Sequence, residues 1–458
     1  MIHAYKLAGL NIVLDVASGS VHSVDDVAYD AICMYENSSK DAVINTLIQK
    51  HIEISDTEIN DLISDIEELK SRGKLYSDDI FAGVPDVTHK APIKALCMNV
   101  SHMCNMGCSY CFAGSGEYGG AGLMPLETGK RAIDFLVENS GGRKNLDVDF
   151  FGGEPLLNWD VVKKIVEYAR SVEQVSGKKI RFTLTTNGLL IDTEVIDFTD
   201  KQMHNVVLSL DGRPEINDAA RKLRNGSGSY AEIVPKIKKI VESRRGNDYY
   251  IRGTYTRDNL DFTNDILHIA DLGFTELSME PVVAKPGSPI KLTEEDLPEI
   301  YAQYEYLAAE MLKRKKEGRG FTFYHFKLDL KDGPCVYKRI AGCGVGTEYV
   351  AVTPAGELYP CHQFVGDEKF IMGDVWRGVI NTELRDEFGK CSIYSRDECR
   401  NCWVRMYCSG GCAANAYYDS GSIGGVYKLG CAMVKKRVEC AIMMKVAEHY
   451  SSGGGDSP

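Results

Sequence analysis

The spacing of apolar residues changes three times along the chain. In Met1–Lys74, short runs of strand type (His3–Leu7, Asn11–Val16, Val21–Val24) bracket the turn signal Ser18-Gly19-Ser20, and helical periodicity follows. The clearest helix opens on Ser55-x-x-Glu58, a capping box, and carries apolar residues at Ile59, Ile63, Ile66 and Leu69. Three strands followed by three helices predict a small winged-helix-like unit over residues 1–80, and Ser77-Asp-Asp through Val84-Pro-Asp-Val reads as the linker out of it. From Pro92 to about Gly320 the pattern becomes strand, loop, helix, repeated. Strands are expected at Ala95–Val100, Leu146–Phe151, Ile180–Thr185, Val206–Leu210, Tyr249–Thr256 and Glu276–Met279, with helices such as Leu126–Glu138, Trp159–Val175 and Leu297–Lys315 between and after them. Six such units predict an α/β fold with a parallel sheet, a partial (β/α)6 barrel over residues 92–320. In barrels of this type the site is built from the loops that follow the strands.

After about Phe321 the regular patterning fades. Ten of the 15 cysteines fall between Cys335 and Cys440. A segment this loop-rich does not bury enough apolar surface to order itself, and bound metal would supply the constraint. The expected C-terminal domain spans 321–446, and the low-complexity residues 447–458 are expected to be a disordered tail. No apolar run reaches membrane-spanning length and Met1-Ile-His-Ala-Tyr-Lys lacks the features of a signal peptide, so a cytoplasmic protein is expected, free of membrane. Thiols stay reduced there, which sets a disulfide framework aside. The net charge is −12, and Met1–Lys90 alone, with 7 basic and 16 acidic residues, accounts for −9. That sign excludes a nucleic-acid partner. It fits equally a solvated acidic surface and a docking site for a basic partner.

Cys104-Asn-Met-Gly-Cys108-Ser-Tyr-Cys111 directly follows the first expected strand. Thiolates suit iron–sulfur clusters or zinc. Three on one loop, with no near fourth ligand, favour a cluster with one open iron over a closed zinc site. Three further motifs sit at strand ends: Gly152-Gly153-Glu154-Pro155, Thr185-Thr186-Asn187-Gly188 and Ser209-Leu210-Asp211-Gly212. Glycine suits the first because backbone there must approach a ligand closely.

The triplet, with Tyr110 before its last cysteine, resembles the signature of the radical S-adenosylmethionine (SAM) superfamily. The resemblance implies that Cys104, Cys108 and Cys111 hold a [4Fe–4S] cluster whose open iron is chelated by SAM, and that reductive cleavage yields a 5′-deoxyadenosyl radical. It further implies that Gly152, Gly153 and Glu154 hold the methionine ammonium, and that Thr185, Asn187, Ser209 and Asp211 contact ribose and carboxylate. Arg221 is the expected carboxylate partner, because a guanidinium forks onto a carboxylate, with Arg224 and Arg252 as competitors.

The second cysteine field runs Cys343, twelve residues, Gly356, four residues, Cys361, then Cys399-x2-Cys402-x5-Cys408-x3-Cys412 and Cys431. It resembles the SPASM extension of radical SAM enzymes that act on peptides, which holds two auxiliary [4Fe–4S] clusters. The family pattern implies Cys399, Cys402, Cys408 and Cys431 around one cluster and Cys343, Cys361 and Cys412 around the other. The latter is either closed by Cys335 or open to a substrate thiol. A zinc ribbon would leave three of the seven cysteines idle. Cys97, in a strand, and Cys440, in a helical run, are expected to be buried small hydrophobes.

A winged-helix-like unit ahead of such a barrel resembles the elements that bind leader peptides by adding them to a sheet edge. The whole chain then resembles thioether-forming (sactionine-type) maturases of the "six cysteines in forty-five residues" peptides, with three [4Fe–4S] clusters and SAM as cofactors. The implied partners are a ribosomally made Cys-rich precursor peptide and a low-potential electron donor of flavodoxin or ferredoxin type. Removing Met1–Asp79 would then abolish peptide binding and spare SAM cleavage. One alternative is a formylglycine-generating sulfatase maturase, a group that places Asp after the second SPASM cysteine, where this chain has His362. Another is a non-catalytic iron–sulfur electron carrier, which leaves Gly152–Glu154, Asn187 and Ser209 without a role.

Overall fold

The structure is a computed structural model that describes residues 1–51, 53–82, 91–114, 116–284, 287–330 and 336–451. Val84–Val87 of the expected linker, Cys335 and residues 452–458 of the tail lie outside the described residues.

The six expected barrel strands form at Ala95–Ser101, Asn145–Gly152, Lys179–Thr186, Asn205–Ser209, Tyr249–Tyr255 and Glu276–Pro281. They lie side by side in chain order, every neighbouring pair parallel. The sheet is larger than the sequence pattern predicts. Thr322–Phe323 adds to the sixth strand, and Tyr349–Val352 pairs in parallel with the first. From there Glu357–Tyr359, Gly373–Asp374 and Gly378–Val379 continue antiparallel, giving an open sheet of 11 strands. The cysteine-rich segment therefore grows out of the same sheet as the barrel.

Alternation along these strands separates two chemistries. Leu96, Met98, Val148, Phe150, Phe182, Leu184, Val206, Leu208, Ile251 and Leu277 are buried in the main core. Helices Leu126–Asn139, Trp159–Ser176 and Leu297–Lys316 contribute Phe135, Ile165 and Tyr304 to that core. The intervening residues Cys97, Asp149, Thr185, Ser209, Arg252 and Glu280 take the other face, because side chains alternate with period two.

The N-terminal unit is an antiparallel meander, Ile2–Leu7, Leu10–Asp15 and Val21–Val24, followed by helices Asp26–Tyr35, Lys40–Lys50 and Asp56–Ser71. The Ser55/Glu58 capping box is formed. The middle strand serves two cores. Val13 packs with Ile32, Leu47 and Ile63 under the three helices, whereas Ile12 and Leu14 on the opposite face join the main core with Tyr5. Polar contacts tighten the junction. The His3 ring stacks on Trp403 at 3.7 Å and meets Glu439 at 3.0 Å, and Asp79 pairs with Arg405 at 2.9 Å and Tyr394 at 3.0 Å.

At the other end, the last helix runs Lys428–Ser451. Residues 447–451, expected in the tail, are helical because Ala447 and Tyr450 still pack on the core. No helix among the described residues is long and apolar enough to cross a membrane.

This packing changes the expected outcome of truncation. Removing Met1–Asp79 strips Tyr5, Ile12 and Leu14 from the main core, and each lost apolar side chain costs about 1.5–3 kcal/mol of burial. Thermal melting of the truncated chain is expected to shift to clearly lower temperature. A remainder that melts with the full-length chain would show that the unit is an appendage.

Candidate active site

The expected motifs converge on one cavity of about 490 Å³, a volume typical of small-molecule sites. Cys104, Cys108 and Cys111 line it together with Gly152, Gly153, Thr185, Asn187, Ser209 and Arg221. Cys408, Cys412 and Cys431 line it from the second cysteine field.

The triplet loop is held in place by its neighbours. Met106–Cys108 pairs antiparallel with Arg221–Leu223, which sets Arg221 opposite Cys108. Arg224 donates to the Cys104 carbonyl at 3.0 and 2.8 Å, so this candidate carboxylate partner is engaged with the loop itself. Asn187 Nδ2 donates to Asn105 Oδ1 at 2.8 Å and approaches Cys104 Sγ at 3.7 Å. The two glycines are required by the chain as well as by any ligand. Gly152 has φ +124°, and a Cβ there would lie 2.2 Å from the Ser101 carbonyl oxygen. A Cβ on Gly153 would lie 2.2 Å from that of Met103.

Two expected contacts do not face the cavity. Glu154 is fully buried, and its carboxylate accepts from the Leu156 amide (3.0 Å), Thr186 Oγ1 (2.8 Å) and the Asn187 amide (2.8 Å). Burial pushes this carboxyl up, against those hydrogen bonds. Three of its roughly four acceptor sites join the loops after strands two and three. Asp211 is also fully buried, accepting from Tyr110 Oη at 2.7 Å and the Thr254 amide at 3.0 Å. Arg221 Nη1 donates to the same Tyr110 oxygen at 2.8 Å. Asp211 thus acts on Arg221 through Tyr110.

The ten expected ligand cysteines form three neighbour sets. Cys104 feels Cys108 and Cys111; Cys361 feels Cys412 and Cys343; Cys408 feels Cys431, Cys399 and Cys402. Burial pushes the Cys104 thiol to about 11 and Cys408 to about 12, and the like-charged neighbours push the same way. A cationic metal group reverses that penalty. Among the described residues no three His, Cys, Asp or Glu side chains converge closely enough to hold a single metal ion. The donor chemistry of each set, three or four thiols drawn together, fits an iron–sulfur cluster. Cys97 and Cys440 are fully buried, and Cys97 packs in one apolar cluster with Cys361.

Sequence reasoning missed the far wall. Glu280, at the end of the sixth strand, lies 3.3 Å from His325, which meets Arg437 of the last helix at 2.9 Å. Burial alone would raise Glu280; His325, Arg252 and Arg437 overcome it and hold the carboxylate ionised. The acidic residue at a strand end was the available signal for Glu280. Nothing local marks Arg437, which reaches the site from residues far along the chain. His362 lines the cavity, with Nδ1 3.4 Å from Tyr349 Oη, and burial lowers it to about 4, so it is neutral near pH 7.

Residues 98–258 match the model of the Radical SAM superfamily, a class that binds SAM and a [4Fe–4S] cluster. Among relatives, the radical SAM cyclopropyl synthase TigE of Paramaledivibacter caminithermalis is 22% identical over 91% of this chain and 89% of that protein. A cysteine-type anaerobic sulfatase-maturating enzyme of Clostridium perfringens is 25% identical over 70% of this chain and 89% of its own length. Among solved structures, Streptococcus suis SuiB bound to its precursor peptide SuiA shares the fold, with a TM-score of 0.54 and 16% identity over 94% of this chain and 98% of that one.

Asp149, beneath Phe151 on the second strand, accepts from Thr185 Oγ1 at 3.3 Å. Burial raises its carboxyl to about 7. The folded pKa lies above the unfolded value of about 4, so this group's contribution to stability is greatest below pH ~4 and falls as pH rises to ~7. Asp149→Asn is expected to gain in melting temperature on the parent through that window and to hold the gain above it. Parallel melting-temperature profiles of parent and variant would contradict the assignment.

Proposed function

We propose that this chain is a radical SAM peptide maturase that forms a thioether cross-link, between a Cys sulfur and a backbone or side-chain carbon, in a ribosomally made Cys-rich precursor peptide. The observation that carries the reading is the single cavity shared by the Cys104–Cys108–Cys111 triplet and by Cys408, Cys412 and Cys431. Cys104, Cys108 and Cys111 would hold the SAM-binding [4Fe–4S] cluster. Cys343, Cys361 and Cys412 would hold one auxiliary cluster, and Cys399, Cys402, Cys408 and Cys431 the other. With the first cluster and SAM bound, the chemistry supplied is a 5′-deoxyadenosyl radical that abstracts a substrate hydrogen.

The chain's own residues do the positioning. Gly152 and Gly153 bring bare backbone to the wall, while Thr185, Asn187 and Ser209 present polar groups beside it. Arg221, with its charge backed by Tyr110 and Asp211, is suited to the methionine carboxylate. Glu154 fixes the Asn187 loop. Met1–Asp79 would take the leader at Val21–Val24, the outer strand of its sheet, by main-chain pairing. A low-potential donor of flavodoxin or ferredoxin type would supply electrons.

The relatives that span the N-terminal unit support a leader-guided peptide substrate: TigE covers 91% of the chain, and SuiB, solved with a precursor peptide, covers 94%. The sulfatase-maturating relative supports a second reading, oxidation of a single side chain. His362 directly after Cys361 disfavours it, because that group has Asp there.

Anaerobic incubation with SAM, reductant and a small Cys-rich precursor peptide is expected to remove two hydrogens per cross-link and one alkylatable thiol. A product that loses its sulfur instead would establish the sulfatase-type reading. Replacing Cys104, Cys108 and Cys111 together by Ala should leave about eight irons in place of about twelve and end 5′-deoxyadenosine production. Continued 5′-deoxyadenosine formation by that variant would refute the triplet's role.

A further inference from the structure

Cys104 Sγ, one of the three triplet sulfurs, is met by two N–H donors. The Met106 amide lies 3.5 Å from it and Asn187 Nδ2 lies 3.7 Å from it. Sulfur's large radius makes such lengths ordinary for N–H···S contacts. The orientation of the Asn187 amide is settled by its far side, where the Leu189 amide donates to Asn187 Oδ1 at 3.0 Å. Turning the group over would set two N–H donors against each other, so Nδ2 must face the triplet loop. Its other hydrogen goes to Asn105 Oδ1 at 2.8 Å. The backbone is held as well: the Asn187 amide donates to buried Glu154 at 2.8 Å, and the Gly188 amide to Thr186 Oγ1 at 3.1 Å. Asn187 is only 7% exposed.

Both hydrogens of this side-chain nitrogen are therefore spent inside the protein, one on a brace and one on a sulfur. That differs from the role its motif suggests, a direct contact to SAM. The neighbouring sulfur is treated by other means: burial raises the Cys108 thiol, and Arg221, standing opposite it, works against that. A [4Fe–4S] cluster gains negative charge on reduction, and hydrogen bonds to its sulfurs are among the factors that set its potential. A donor aimed at a ligand sulfur favours the more negative state, because hydrogen bonds strengthen with the charge they meet.

We infer that Asn187 is a positioning residue for the Cys104 ligand sulfur: its side-chain N–H hydrogen bonds to the thiolate, and Asn105 Oδ1 holds the amide in that orientation. Asn187 thereby raises the potential at which the triplet's cluster accepts an electron from its low-potential donor. This rests on the reading that Cys104 is a cluster ligand and deepens it. It also assigns the Thr185–Gly188 motif a second task, to couple the loop after strand three to the redox chemistry of the triplet.

The test reads a potential and a binding constant, not turnover. Full-length, iron-loaded parent, Asn187→Leu and Asn105→Ala proteins are titrated with reductant under anaerobic conditions. The reduced triplet cluster is followed by EPR through the signal that shifts when SAM is added, and the Kd of SAM is measured on the oxidised proteins by equilibrium dialysis. Asn187→Leu is expected to lower the ratio of reduced to oxidised cluster roughly tenfold at a fixed solution potential, a fall in midpoint of about 59 mV for one electron. Asn105→Ala, which removes only the brace, should shift the midpoint the same way by less, and the Kd of SAM should stay close to the parent's in both. If Asn187→Leu does not retain the parent's iron, Asn105→Ala decides alone. Midpoints equal to the parent's would overturn the inference, and so would an unmoved midpoint with SAM binding weakened about tenfold, the mark of a direct SAM contact. Absence of any SAM-shifted signal in the parent would instead undo the reading of the triplet itself, and this inference with it.

Discussion

Alternation along the parallel strands is the constraint on which the rest depends. Leu96, Met98, Val148, Phe150, Phe182 and Leu184 occupy one set of pleats and are buried in the main core, each worth about 1.5–3 kcal/mol. That gain fixes the register, because a slip of one residue would turn the whole set to the other face. Cys97, Asp149, Thr185, Ser209, Arg252 and Glu280 are then obliged to share one interior, although they come from different strands. Motifs separated by tens of residues meet because their strands are neighbours in parallel order, each ending at the same rim.

A polar interior of this kind survives only if its charges are met. Glu154 is met by three donors, Asp211 by Tyr110 and a backbone amide, and Glu280 by His325. The buried thiols are different. Drawing Cys104 toward Cys108 and Cys111, or Cys408 toward Cys431 and Cys399, raises the cost of each thiolate. Neighbouring side chains do little to lower it, and a bound cationic group would lower it.

Much of this was legible because period-two and period-3.6 patterns report burial directly. The strand at Ala95, the helices starting at Leu126, Trp159 and Leu297, and the Ser55/Glu58 box form where the patterns place them. The motif residues were legible as residue types, but a motif carries no direction. Glu154 and Asp211, expected as ligand contacts, are fully buried and brace Asn187 and Arg221 from behind. Tyr349–Val352 was illegible as part of the barrel sheet, since its partner Ala95–Ser101 is hundreds of residues away and no local signal announces a parallel pairing. Arg437 and Asn415 were missed for the same reason. They lie in the cysteine-rich segment and reach the cavity only once that segment has folded back over the strand ends.

The middle strand of the N-terminal unit extends the same logic beyond the barrel. Val13 faces the unit's own core while Ile12 and Leu14 face the main one, so the strand belongs to two bodies at once. A peptide pairing with Val21–Val24 would join a sheet already anchored against the last helix through His3 and Glu439, and against the cysteine-rich segment through Trp403 and Arg405. Little freedom would be left between leader and cavity except in the substrate itself. A tether then raises the effective concentration of the reacting segment only as far as its own length and stiffness allow. On the proposed reading, selectivity is divided in two: the rigid unit chooses the peptide, and the cavity chooses the residue within it.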